Sequence, residues 1–303
     1  MNRKNRTLHG VWISLWILGA LSQSMRGEAQ AQIIGQMDIP YVAGGERKQQ
    51  WGLYIPEEQE FSTLLLVHGG SMANGDRKDT SEPYGELART FAREGMACAA
   101  MSYRLFPTVD WSAPAEDVAA AFVWLRRNIE THGGSAERIF ILGHSSGGLL
   151  SAVVASDPRF LEKHGLSTKD IAGVLPMGCR LNWNDSVFLE DDTPEEIQTY
   201  FREDLWGKHF GSLAALKSFR PINHVGAHLP PTLVLIAKME RFQPPILEDA
   251  AIFVGAAGEA GVDADLAILP DRNHFSSIRQ LVSPEDFTFR LIVSFIQRLS
   301  RSE

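Results

Sequence analysis

Residues 138–151 constrain this chain more than any other stretch. Arg138-Ile139-Phe140-Ile141-Leu142 is a short apolar run with β-branched residues at alternate positions, the pattern of a buried strand. It ends in Gly143-His144-Ser145-Ser146-Gly147, a G-x-S-x-G pentapeptide. Beyond it Leu149, Leu150, Val153 and Val154 recur at helical spacing. A strand, a sharp turn and a helix in that order strain the backbone at the central serine and lift its hydroxyl clear of the sheet. The flanking glycines let strand and helix pass closely. The new helix also points its unpaired N–H groups at any anion formed beside the serine. The pentapeptide alone recurs by chance, but in this setting it bounds both fold and chemistry.

The rest of the chain supplies the layers that such a turn needs. Residues 36–42 and 50–55 read as an opening hairpin, and residues 63–67, 96–101, 171–177, 233–237 and 265–269 as further strands. With 138–142 that makes eight strands, the serine following the fifth. Helical spacing marks 86–93 (stopped by Gly95), 115–129, 246–260 and 287–299. Several strands are apolar without alternation, as in a parallel sheet covered on both faces. One α/β domain over 32–303 is expected. Residues 181–228 break the pattern, with Asp191-Asp192, Glu195-Glu196 and the aromatics Trp183, Phe188, Tyr200, Phe201, Trp206 and Phe210. They read as a small lid over an acyl or aryl pocket, or as aromatics packing insert helices on the sheet.

The first 31 residues read as a signal peptide. Arg3, Lys4 and Arg6 precede an apolar run over 11–21, and Ala29-Gln30-Ala31 offers a cleavage site. The run is too short to span a bilayer comfortably. A secreted or periplasmic location is expected, without stable membrane insertion after cleavage. The formal net charge of −8 becomes more negative once this basic segment is removed, so the chain has no electrostatic footprint for nucleic acid.

A serine hydroxyl needs a base to accept its proton, a third group to orient that base, and N–H donors for the developing oxyanion. His68-Gly69-Gly70-Ser71 directly follows the strand at 63–67, and its glycines allow the N–H groups of Gly70 and Ser71 to turn inward. The competing reading is an ordinary Gly-Gly turn with a structural His68. The N–H of Ser146 is the second donor. Among nine histidines, His274 lies just past the last strand, at the sheet edge where Ser145 emerges, and is the expected base. His144 lies inside the turn and cannot fold back onto Ser145, while His132 and His164 read as solvated. His224 and His228 are four apart but lack a helix and a third ligand, which argues against zinc. The acid is expected after the strand at 233–237, where Glu240 comes first. Asp271 is close in sequence to His274, and Glu248 and Asp249 suit the first turn of a helix.

With these residues the chain resembles the α/β-hydrolase superfamily, and within it hormone-sensitive-lipase-like and feruloyl-esterase-like carboxylesterases and kynurenine formamidases. The matching pieces are His68-Gly69-Gly70, Ser102-Tyr103-Arg104-Leu105 with Pro107, Glu116-Asp117, the Ser145 turn with Gly148, Pro221, Pro230-Pro231 and Asn273-His274-Phe275. The resemblance implies an α/β-hydrolase fold with strand order 1-2-4-3-5-6-7-8 and a short helical insert after strand 6. That order separates Cys98 from Cys179 and implies two buried thiols. It also implies Ser145 as nucleophile, His274 as base, Gly70, Ser71 and Ser146 as oxyanion donors, and an aspartate after the seventh strand. Two positions depart from the family. Ser71 replaces a third glycine, and Ala237-Lys238-Met239-Glu240 replaces Gly-x-x-Asp. The implied activity is hydrolysis of small carboxylic esters through an acyl-enzyme, with no cofactor or metal. An amide hydrolase on the same machinery and a non-catalytic binding protein are the rivals.

Overall fold

The computed structural model describes residues 33–79, 82–182, 210, 213–240 and 245–301. The expected signal peptide at 1–31 lies outside these residues, as do Trp183, Phe188, Tyr200, Phe201 and Trp206 of the expected lid. β1 (Ile34–Pro40), β2 (Gln50–Ile55), β3 (Phe61–Val67), β4 (Ala97–Met101), β5 (Gly134–His144), β6 (Gly173–Met177), β7 (Thr232–Met239) and β8 (Ala264–Asn273) form one sheet in the order β1-β2-β4-β3-β5-β6-β7-β8. β1, β2 and β4 pair antiparallel, and every other pair is parallel. This is the α/β-hydrolase order.

Side chains alternate across a strand, so an uninterrupted apolar run must find cover on both sides. Leu65, Val67, Ala99, Ile139, Ile141, Val174, Val234 and Ile236 enter one core with helices α2 (Ala113–Asn128), α3 (Ser146–Ser156) and α4 (Pro245–Glu259). Their neighbours Leu64, Leu66, Cys98, Phe140, Leu142, Leu175 and Leu235 enter a second core with α1 (Tyr84–Arg93) and α5 (Phe287–Ser300). Asp286 starts α5 by accepting from the N–H groups of Thr288 and Phe289. Cys98 and Cys179 are free, buried thiols. Two strands stand between β4, which carries Cys98, and β6, which Cys179 follows.

Most boundaries move by one or two residues from the sequence reading, and two move by four, both on strands that flank the site. β5 starts at Gly134, because Gly134 pairs with Phe61 across a register shift. β8 runs on through Pro270-Asp271-Arg272-Asn273, a stretch that reads as a loop. β8 is the edge strand, so the N–H that Pro270 lacks breaks no ladder on the open side. Of the insert after β6, the described part includes a helix at Leu213–Ser218 and a 3₁₀ turn at Pro221–His224. Phe210 packs into the core against Trp111 and Phe219.

One buried charge organises the crossover from β4 to α2. Asp117, with no exposed side-chain surface, accepts from Gln49 Nε2 at 2.7 Å, from the Arg104 N–H at 2.8 Å and from Arg104 Nη2 at 2.7 Å. It thereby joins α2, the segment after β4 and the β1–β2 turn. Removing one partner of a buried pair strands the other charge. Asp117→Ala is expected to lower stability by about 3–5 kcal/mol in urea unfolding.

Candidate active site

In a parallel sheet the carboxyl ends of the strands share one edge, and the segments that follow them meet there. His68 follows β3, Tyr103 follows β4, Ser145 follows β5, Gly178 follows β6, Glu240 follows β7 and His274 follows β8. Ser145 has φ 55° and ψ −124°, a left-handed conformation costing about 1–3 kcal/mol for a residue other than glycine. Its N–H donates to Met177 O at 2.8 Å and its carbonyl accepts from the Leu149 N–H at 3.1 Å. Helix α3 passes so close to the end of β3 that a Cβ at residue 147 would lie 2.3 Å from Val67 O and 2.4 Å from His68 O. Only glycine fits there, as the pentapeptide requires.

The three residues expected to act together meet. His274 Nε2 lies 3.0 Å from Ser145 Oγ, and His274 Nδ1 lies 3.0 Å from Glu240 Oε1 and 3.1 Å from Oε2. Glu240 and His274 are both buried. Gly178, at φ 58°, is where β6 yields to them: a Cβ there would stand 3.4 Å from His274 Nδ1 and 3.5 Å from Glu240 Oε2. The other carboxylates are elsewhere. Asp249 is a buried partner of Arg180, whereas Asp271 and Glu248 are exposed. His228 Nε2 contacts Ser156 O at 2.8 Å and His224 Nε2 contacts Ser218 O at 2.9 Å. His132 and His164 are half-buried rather than fully solvated, and the His132 ring leans on Trp124.

The His68–Ser71 segment curls beside Ser145. Gly70 has φ 110°, Ser71 57°, Met72 58° and Gly75 98°, a run of left-handed backbone held from several sides. Gly70 O accepts from the N–H groups of Ala73 and Asn74. Tyr84 Oη accepts from the Gly69 N–H at 2.8 Å, and Tyr103 Oη donates to His68 O at 3.0 Å. The N–H of Met72 donates to Ser146 Oγ at 3.2 Å. His68 is itself buried beneath this loop and stacks on Tyr103 at 4.2 Å. His68 is thus structural, as the competing reading has it, and the Gly-Gly turn it supports lies beside Ser145.

Four contributors escaped the sequence reading. His144 Nε2 lies 2.8 Å from His274 O, which Ser277 Oγ also contacts at 2.7 Å, so the backbone of His274 is held from two directions. Tyr84 comes from α1 and Ser277 from the turn after β8, and neither belongs to a recognisable motif. Tyr103 stood within Ser102-Tyr103-Arg104, where the sequence does not disclose its hydrogen bond.

Similarity to other proteins falls on this framework. The sequence model of the BD-FAE family matches residues 52–244, more than half of the chain. The esterase LipC of Mycobacterium tuberculosis is 29% identical over 199 residues, covering 63% of this chain and 47% of that protein. The ethyl acetate hydrolase of Pseudomonas putida is 25% identical over 264 residues, covering 81% of this chain and 77% of its own. The chain spans about half the length of the first of these relatives. Among solved structures, esterase B from Lactobacillus rhamnosis superposes with a TM-score of 0.72 at 20% identity, over 91% of this chain and 89% of that one.

Burial fixes the charge state of the two supporting histidines. It pulls His68 down from 6.5 to about 4. Burial, together with the neighbouring His274, pulls His144 down to about 3. Unfolded, both titrate near 6.5, so between these values the unfolded chain holds the extra protons and acid favours it. The associated stability is complete well above pH 6.5 and falls as pH drops through 6.5 toward 4. Each residue contributes a slope of up to about 1.4 kcal/mol per pH unit. Urea midpoints measured from pH 7.5 to 4.5 should record that fall, and His68→Asn should flatten it.

Proposed function

This chain belongs to the BD-FAE family, and on that premise we propose that it hydrolyses small carboxylic esters through an acyl-enzyme. The observation that carries the reading is the continuous line from Ser145 Oγ through the His274 ring to both oxygens of Glu240. The esterases named among its relatives support the same substrate class.

In this mechanism Ser145 Oγ attacks the ester carbonyl while His274 Nε2 takes its proton. Negative charge gathers on the carbonyl oxygen, where the N–H groups of Gly70, Ser71 and Ser146 receive it. Each such donor contributes about 2.7–4 kcal/mol to the barrier reduction. The alcohol departs with the proton from His274, leaving Ser145 acylated. Water, deprotonated by the same ring, releases the acid. Glu240 keeps the proton on Nδ1, so that Nε2 faces the serine as an acceptor, and it stabilises the imidazolium that forms. A glutamate stands where an aspartate is usual, and both of its oxygens reach His274 Nδ1. Residues 1–31 are read as an export signal, which gives a secreted or periplasmic enzyme.

Fluorophosphonate labelling provides the direct test. The wild type should take one label and Ser145→Ala none; a folded wild type that takes none overturns the enzyme reading. Turnover of p-nitrophenyl esters should exceed that of formylkynurenine and dipeptides, and the reverse order replaces ester by amide chemistry. Glu240→Gln should lower kcat by about 10²–10⁴-fold with KM little changed.

A further inference from the structure

Oxyanion stabilisation depends on donors that reach the same oxygen from two separate pieces of the fold. The N–H groups of Gly70 and Ser71 ride on the loop after β3, and the N–H of Ser146 rides on the first turn of α3. Useful donors stand 2.7–3.1 Å from the forming oxyanion, so a shift of a few tenths of an ångström between the two pieces weakens the grip on it. Something must fix the loop against the helix.

The loop's backbone does not favour that position by itself. Ser71 and Met72 both hold left-handed conformations without being glycine, and such residues persist only where their surroundings over-determine them. Several ties do so. Tyr84 and Tyr103 hold the loop from α1 and from the segment after β4. Met72 O accepts from the Phe106 N–H at 2.9 Å, and the Met72 side chain is buried in the core. These contacts fix the loop to α1, to the segment after β4 and to the core. The Met72 N–H bond to Ser146 Oγ, at 3.2 Å, is different, because it runs between the two pieces that carry the donors. The Tyr103 hydroxyl, already donating to His68 O, stands 3.5 Å from the same Ser146 oxygen and closes the network on its far side.

We propose that the hydroxyl of Ser146 is a positioning group that sets the two halves of the oxyanion hole against each other, separately from the donor role of its own N–H. This rests on the esterase reading for its kinetic consequence and on geometry alone for the latch. Replacing the side chain by alanine leaves the main-chain donor in place and removes only the acceptor that holds Met72.

The test compares wild type, Ser146→Ala and Ser146→Thr, with active sites counted by fluorophosphonate titration so that a misfolded fraction does not enter kcat. On p-nitrophenyl butyrate, Ser146→Ala should lose roughly tenfold in kcat with KM within twofold. Its inhibition by a trifluoromethyl ketone, which forms a tetrahedral oxyanion on the serine, should weaken by the same factor as kcat/KM. Ser146→Thr, which keeps the acceptor oxygen, should recover most of both. Unchanged kcat and ketone affinity in Ser146→Ala overturn the proposal. A lower kcat with undiminished ketone affinity overturns it as well. Hydrogen exchange over residues 69–75 reads the latch without reference to activity. The Met72 amide should exchange faster in Ser146→Ala and return toward wild type in Ser146→Thr. If the wild type takes no fluorophosphonate, the esterase reading fails, and exchange alone decides the latch: equal Met72 rates in all three proteins refute it.

Discussion

The first turn of α3 lies against the last carbonyls of β3, and the sheet edge takes its arrangement from that contact. The approach is tolerable only because residue 147 has no Cβ to meet Val67 O and His68 O. With the helix held that close, the chain between β5 and α3 has no room for a relaxed turn, and Ser145 is driven to φ 55°. Its hydroxyl then faces the His274 ring. The same contact brings the helix N–H groups beside the loop that leaves β3. The proposed nucleophile and oxyanion donors are therefore two results of one packing event, while His274 and Glu240 come from strands at one end of the sheet.

Polar groups around this centre are handled by burial as well as by pairing. His68 and His144 sit where water does not reach, and both stay neutral for that reason. A neutral His144 holds the His274 carbonyl without placing a positive charge beside the His274 ring. Tyr84 and Tyr103 are buried, and burial pushes both phenols well above their ordinary range, so they act as hydroxyl hydrogen-bonding groups. Asp117 is the contrasting case, a buried carboxylate kept where it is by Arg104 and Gln49.

Much of this was legible in the sequence because the relevant signals are local. The apolar runs over 63–67 and 138–142 announced two-sided burial, and the Leu64/Leu65 alternation between two cores is its direct outcome. Gly-x-Ser-x-Gly between a strand and a helix announced the elbow. His274 and Glu240 followed from the rule that parallel strands share a carboxyl edge, even though 34 residues separate them. What the sequence hid was long-range. Nothing in the Tyr84 neighbourhood says that its hydroxyl will receive the Gly69 N–H, 15 residues back. Nothing beside His144 says that its ring will reach a carbonyl 130 residues on. The β8 extension was hidden for another reason: Pro270-Asp271 carries loop chemistry, and only its place at the sheet margin makes it admissible as strand.

That margin has a consequence for how the molecule fails. Glu240 and His274 are borne by β7 and β8, whose ladder slips register between Ala237 and Met239, and β8 has a neighbour on one side only. Ser145 and the loop after β3 belong instead to the middle of the sheet. The proposed acid and base thus stand near the margin of the sheet, and the proposed nucleophile stands at its centre. Warming or mechanical stress that frays the outermost strand moves the His274 ring away from Ser145 Oγ while β3 and β5 keep a paired neighbour on each side.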